Sequence, residues 1–144
     1  MTQATVPEVG VKKQRILIIE DDKSIQQVLS YRLKKMGFEV SQSSDGFQGF
    51  DDAKLQRPDL IVLYLRLPGR PGEEICKAIR EDEDKDFATT PILMLTGKAS
   101  DVDRVIGMVI GANAYVPKPF RLPQLMREIN RCLENRSAVP RRRS

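Results

Sequence analysis

The sequence predicts an α/β domain, an open, doubly wound sheet of five parallel strands. Three observations carry that expectation. Apolar runs such as Ile16-Leu17-Ile18-Ile19 and Leu60-Ile61-Val62-Leu63 are short, rich in branched residues and continuous, which marks strands buried on both faces. Segments with apolar residues at helical spacing separate these runs. The two patterns alternate five times within 144 residues, as expected for a parallel sheet covered on both sides by helices.

Taken in order, residues 1–13 lack apolar periodicity, contain Pro7 and Gly10, and read as a loose arm. The first strand is Ile16 to Ile19. Ile25, Val28, Leu29, Leu33 and Met36 then define a helix, with Gly37 at its C-terminal cap. Phe38-Glu39-Val40 forms the second strand. The turn Ser43-Ser44-Asp45-Gly46 leads to a helix carrying Phe47, Phe50 and Ala53, which Arg57-Pro58 stops.

Leu60 to Tyr64 is the third strand. The turn cluster Pro68, Gly69, Pro71 and Gly72 precedes a helix with Ile75, Ala78 and Ile79. The acidic stretch from Glu81 to Asp86 reads as a solvated loop. The fourth strand is Pro91 to Leu95, followed by a helix with Val102, Val105, Ile106, Val109 and Ile110 that Gly111 closes. Ala114-Tyr115-Val116 is a short fifth strand. The last helix begins near Pro123, a residue suited to the first turn, and aligns Leu125, Met126, Ile129 and Leu133.

Composition narrows the function. Apolar residues make up 40% and charged residues 31%, and no apolar run reaches the ~20 residues that span a bilayer. No signal-peptide core is visible at the start, so a cytoplasmic location without membrane contact is expected. The chain contains no histidine, which removes Ser-His and Cys-His catalysis. Cys76 and Cys132 lack metal-ligand spacing and read as structural thiols. The net charge of +4 resides in the ends, +3 of it in Arg141-Arg142-Arg143 and the rest in residues 1–13. Residues 137–144 therefore read as a basic, solvated tail and not as a nucleic-acid site.

In a doubly wound sheet, ligands bind beyond the carboxyl ends of the strands, where the strand order reverses. Glu20, Asp21 and Asp22 follow the first strand, Tyr64 and Arg66 the third, Thr96 and Gly97 the fourth, and Lys118-Pro119 the fifth. An acidic pair, a hydroxyl and a lysine are the groups that together hold a divalent cation and a phosphoryl group.

Over residues 14–136 the chain resembles the receiver domain of two-component response regulators. The motifs are ILIIEDD at 16–22, RPDLIVL at 57–63 continuing through Tyr64 to LRLPG at 65–69, PILMLTGKA at 91–99 and GANAYVPKPF at 111–120. The resemblance implies a flavodoxin-like (βα)5 fold with strand order 2-1-3-4-5. It implies that Glu20, Asp21 and the Arg66 carbonyl form a site for Mg²⁺, and that Thr96 and Lys118 contact a phosphoryl group. It further implies a cis bond before Pro119 and a switch aromatic at Tyr115. Tyr64 occupies the position of the phosphoacceptor aspartate.

That departure bears on function. A tyrosine phenol has a reference pKa of about 10, so it is a poor nucleophile at neutral pH without a base. Its oxygen also lies several bonds farther from the backbone than a carboxylate's, and phosphoryl transfer depends on positioning. The expected consequences are weak Mg²⁺ binding, a Tyr64 hydroxyl bonded to Lys118 or the acids, and an Arg66 guanidinium able to pair with Glu20 or Asp21.

The function expected from the resemblance is a stand-alone, atypical receiver, not an enzyme, that works by protein contact without aspartate phosphorylation. No second domain is read after residue 136. Expected partners are a histidine kinase or a downstream signalling protein, met through the fourth helix, fifth strand and last helix, where Val102, Ile106 and Met108 lie. Asn113-Ala114 stands in place of the acidic dipeptide common in dimerising relatives. The alternative is a conventional phosphorelay receiver in which the acceptor aspartate has been substituted at Tyr64. A haloacid-dehalogenase-like phosphatase needs a differently spaced aspartate pair than Glu20-Asp21-Asp22 provides. A flavin carrier would suffer from the acidic first loop.

Overall fold

The computed structural model describes residues 13–97 and 110–138. Five strands, β1 (Arg15–Ile19), β2 (Glu39–Ser43), β3 (Leu60–Tyr64), β4 (Ile92–Thr96) and β5 (Ala114–Pro117), pair in parallel in the order β2-β1-β3-β4-β5. Helices α1 (Lys23–Lys35), α2 (Gly46–Gln56), α3 (Gly72–Arg80), a short α4 (Lys85–Ala88) and α5 (Leu122–Ala138) complete the described elements. The expected helix over Val102–Ile110 falls almost wholly outside the described residues, as do residues 1–12 of the arm and 139–144 of the tail.

Alternation along each strand builds two cores. Ile16, Ile18 and Val62 face one way and pack with Leu29 and Leu33 of α1 and Leu125 and Ile129 of α5. Leu17, Ile19, Ile61 and Leu63 face the other way and pack with Ile75 and Ile79 of α3. These strand residues are almost wholly shielded, and burying each such side chain contributes about 2 kcal/mol.

Aspartate caps begin α1 and α2. Asp22 accepts from the N–H groups of Ser24 and Ile25 at 2.9 and 3.2 Å, and Asp45 from that of Gln48 at 2.9 Å. Arg32, Lys34 and Lys35 complement the dipole at the end of α1, and Gly37 follows with φ of 99°. Arg57 ends α2 at φ 53°, a left-handed conformation that costs a residue with a Cβ about 1 kcal/mol. Its guanidinium lies 2.5 Å from Asp84 and 5.6 Å from the centre of the Phe87 ring, contacts that offset the strain.

Several expectations need correction. The Glu81–Asp86 stretch is not wholly a loop, because Asp84 caps α4, which buries Phe87. Val28, Met36 and Phe47, placed on apolar helix faces by their spacing, are half or more exposed at 50%, 51% and 60%. The sheet covers only the central part of each helix stripe. Strand β2 starts one residue later than expected and extends to Ser43, because its register is set by pairing with β1 from Arg15↔Glu39 to Ile19↔Ser43.

The Asp82 and Asp84 carboxyls are held below the ordinary carboxylate value. For Asp82 the leading cause is the hydrogen bond from Lys54, and for Asp84 the backbone N–H of Phe87, followed by Arg57. A depressed native value adds stability above the ordinary carboxylate value of 3.8, which is lost as pH falls through the native value. The stability gap between the parent and Asp84→Asn is therefore expected to hold from pH 6 to about pH 5 and to shrink as urea unfolding is measured from there down to pH 3. A gap constant across that range would mean that the carboxylate's charge is not involved.

Candidate functional site

Register brings the strand ends together. Ile19 lies beside Leu63, Tyr64 beside Leu95, and Thr96 beside Pro117, so the residues that follow emerge along one edge of the sheet. The turn after β3 is packed by necessity against this edge. Leu65 N–H donates to the Leu95 carbonyl at 2.8 Å and Gly72 N–H to the Leu65 carbonyl at 2.8 Å. A Cβ on Gly72 would come within 2.4 Å of the Tyr64 carbonyl oxygen, so α3 starts this close to β3 only because residue 72 has no side chain.

Glu20 is fully buried, an unusual location for a carboxylate. Its backbone N–H donates to the Ser43 carbonyl at 3.0 Å, and its Oε2 accepts from Asp22 N–H at 3.2 Å. Its Oε1 lies 2.9 Å from Lys118 Nζ, an ion pair off the line of a hydrogen bond, which leaves that oxygen without a hydrogen-bond donor among the described residues. Burial raises the Glu20 carboxyl above its ordinary value, while Lys118 and the Asp22 N–H act in the opposite direction.

Lys118 reaches the site from a fixed backbone, its N–H donating to the Thr96 carbonyl at 2.6 Å. The Lys118–Pro119 bond is cis, as the resemblance implied. The Lys118 ammonium stands 3.5 Å from the centre of the Tyr64 ring. The lysine therefore lies between a buried carboxylate and an aromatic face.

Two expectations change here. Tyr64 meets Lys118 through its ring and not its hydroxyl, which points towards Gly97, where a Cβ would stand 3.6 Å from Oη. Arg66 forms no ion pair with Glu20 or Asp21 among the described residues, because Lys118 already occupies the acidic position. The exposed Arg66 lies instead with Asp21 and Glu73 around an open cleft of about 570 Å³ also lined by Leu65, Leu67, Pro68 and Pro71.

Thr96 is fully buried at the end of β4, and Tyr115 is half-buried beside the core under α3. Gln26 was not singled out by its sequence context. It is buried within the first turns of α1, and its Nε2 donates to the Glu20 carbonyl and, at 3.1 Å, to Ser44 Oγ. A polar residue interrupting the apolar positions Ile25 and Leu29 was the available signal. On the proposed partner face, Val102, Ile106 and Met108 lie outside the described residues.

Mg²⁺ requires oxygen ligands in near-octahedral geometry and commonly uses one or two carboxylates. Glu20 and Asp21 offer two, but no three acidic side chains converge among the described residues, and Lys118 already faces the Glu20 oxygen that lacks a donor. Tyr64 presents a ring where a further carboxylate would complete the set. These groups do not make a fitted site for a resident divalent ion.

The family model for the response regulator receiver domain matches residues 16–130. The chemotaxis response regulator CheY4 of Vibrio cholerae is 32% identical in sequence and similar in structure, with a TM-score of 0.78, covering 85% of this chain and 100% of that one. The receiver domain of the sensor histidine kinase PA1611 of Pseudomonas aeruginosa is 33% identical, with a TM-score of 0.77, covering 85% and 99%. That relative carries a magnesium ion coordinated in its active-site cleft. The five-stranded order found here is that of the CheY-like fold. Among the described residues, no helix is long and apolar enough to cross a membrane.

Proposed function

We propose that this chain, which belongs to the response regulator receiver family, signals through protein contacts in the cytoplasm without accepting a phosphoryl group. The observation that carries this reading is the end of β3, where Tyr64 lies under the Lys118 ammonium and no carboxylate is present. A nucleophile there would need an accessible anionic oxygen aligned with the phosphorus. The proposal assigns the chain no catalytic turnover. It assigns Mg²⁺ at most a weak association through Glu20 and Asp21. Partner contact is placed on β5 and α5, the described part of the expected face.

The test uses a small phosphodonor with Mg²⁺, intact-mass spectrometry and a check of base lability. The native chain is expected to gain no base-labile phosphoryl group, and Tyr64→Asp to gain one that depends on Mg²⁺. Labelling of a carboxylate in the native chain would overturn the reading.

Retention of Glu20, Asp21, Thr96 and Lys118 supports a second reading, a conventional relay receiver altered at position 64. Partner capture separates the two. The first reading expects the unmodified chain to bind its partner, whereas the second expects binding only by Tyr64→Asp after phosphoryl transfer.

A further inference from the structure

We infer that Lys118 is the resident cation of this pocket, gripped between the Glu20 carboxylate and the ring face of Tyr64, so that the pocket keeps its arrangement without a divalent metal and resists binding one. The inference rests on the reading of Tyr64 as a non-accepting residue. It adds a purpose for the substituted side chain, which positions Lys118.

The ammonium has two close contacts. Lys118 Nζ is 2.9 Å from Glu20 Oε1 and 3.5 Å from the Tyr64 ring centre. An aromatic face attracts a cation through its quadrupole, and the attraction grows as water is excluded. Water is largely excluded here, since the Glu20 side chain is 0% exposed and the Lys118 side chain 16%. Both ends of the grip are anchored, with the Lys118 N–H on Thr96 and Tyr64 paired with Leu95 in the sheet. Both side chains therefore start from fixed backbone positions.

Charge points the same way. Lys118 answers the Glu20 charge directly, whereas Asp21, Arg66 and Glu73 lie around the open cleft. An aspartate at position 64 would add one negative charge, an excess that a divalent cation would answer. The Tyr64 ring adds none, and its face offers no oxygen to complete an octahedral shell. A metal ion ligated by Glu20 would also lie within a few ångströms of an ammonium that cannot leave without losing both of its contacts.

The experiment has two readouts that do not involve phosphate. MgCl₂ titrations at constant ionic strength compare the native chain, Tyr64→Phe, Tyr64→Leu and Lys118→Met. Reactivity of Lys118 towards an acetylating reagent is followed by peptide mass spectrometry. Lys118→Met is expected to bind Mg²⁺ about tenfold more tightly than the native chain. Tyr64→Phe keeps the ring and should behave as native in both assays. Tyr64→Leu loses the ring and should acetylate at Lys118 several-fold faster.

Equal Mg²⁺ affinity in the native chain and Lys118→Met would overturn the resident-cation role. Equal Lys118 reactivity in the phenylalanine and leucine variants would overturn the role of the ring, and this comparison stands if Lys118→Met fails to fold. Phosphodonor labelling reports on position 64 alone. A failed labelling prediction is thus distinguishable from a failure of this inference.

Discussion

Lys118→Met is expected to destabilise the protein by about 3 kcal/mol at pH 7, because it strands the fully buried Glu20 carboxylate without its counter-charge. The expected deficit is pH-dependent. Burial already raises the native Glu20 value above its ordinary 4.5, and loss of the ammonium raises it further. Below 4.5 the group is protonated in both the folded and unfolded states, so the variant's deficit from this source is absent. As pH rises through the raised native value, the unfolded chain ionises freely while the folded one resists, and stability falls. Urea unfolding at pH 4 and pH 7 should therefore show a small deficit at the lower pH and a large one at the higher. Adding Glu20→Gln to Lys118→Met should recover most of the loss at pH 7. A deficit of equal size at both pH values would assign the effect to lost packing of the lysine stem.

The strand ends were legible because continuous apolar runs stop sharply where chemistry begins. Ile16 to Ile19 leads directly to Glu20, and Leu60 to Leu63 directly to Tyr64, so the site could be located without coordinates. The helix stripes were less reliable. Periodicity identifies α1 but puts Val28 on its apolar face, whereas Val28 is half-exposed, because a helix lying across a sheet buries only its central row. The charge density of residues 81–86 hid α4, because one buried aromatic, Phe87, makes no periodic pattern.

The grip on Lys118 could not be read at all. Sequence placed Lys118, Glu20 and Tyr64 at neighbouring strand ends, and hydrogen-bonding chemistry favoured the phenol oxygen as the lysine's contact. The structure gives the ring instead, because Tyr64 extends towards Gly97 and lays its face beside the short path from Lys118 to Glu20. Side-chain direction at a strand end depends on the free space left by its neighbours, and Tyr64 Oη reaches to within 3.6 Å of where a Cβ on Gly97 would stand, an ordinary contact distance.

Arg80→Ala is expected to remove about 3 kcal/mol of stability and to loosen the entry to β5, although Arg80 bonds residues at the starts of β4 and β5, the opposite end of the sheet from Glu20. Its guanidinium donates through Nε to the Gly111 carbonyl at 2.9 Å and through one terminal nitrogen to the carbonyls of Ala88 and Thr90, each at 2.8 Å. The other terminal nitrogen donates to Asn113 Oδ1 at 2.7 Å. Asn113 Oδ1 also accepts from Ile92 N–H at 2.8 Å, so one planar side chain ties α3, the start of β4 and the segment before β5. Hydrogen bonds to a charged donor contribute about 1.5–3 kcal/mol each, and truncation leaves several partly shielded carbonyls without a donor. Arg80→Lys should recover little, since a single ammonium cannot match a fork that spans these four acceptors. Amide hydrogen exchange in Asn113 to Val116 is the decisive measurement. Faster exchange there, with β1 unchanged, would show that Arg80 holds the segment carrying Tyr115 and leading to Lys118, whereas uniform acceleration across the sheet would mean only a general loss of stability.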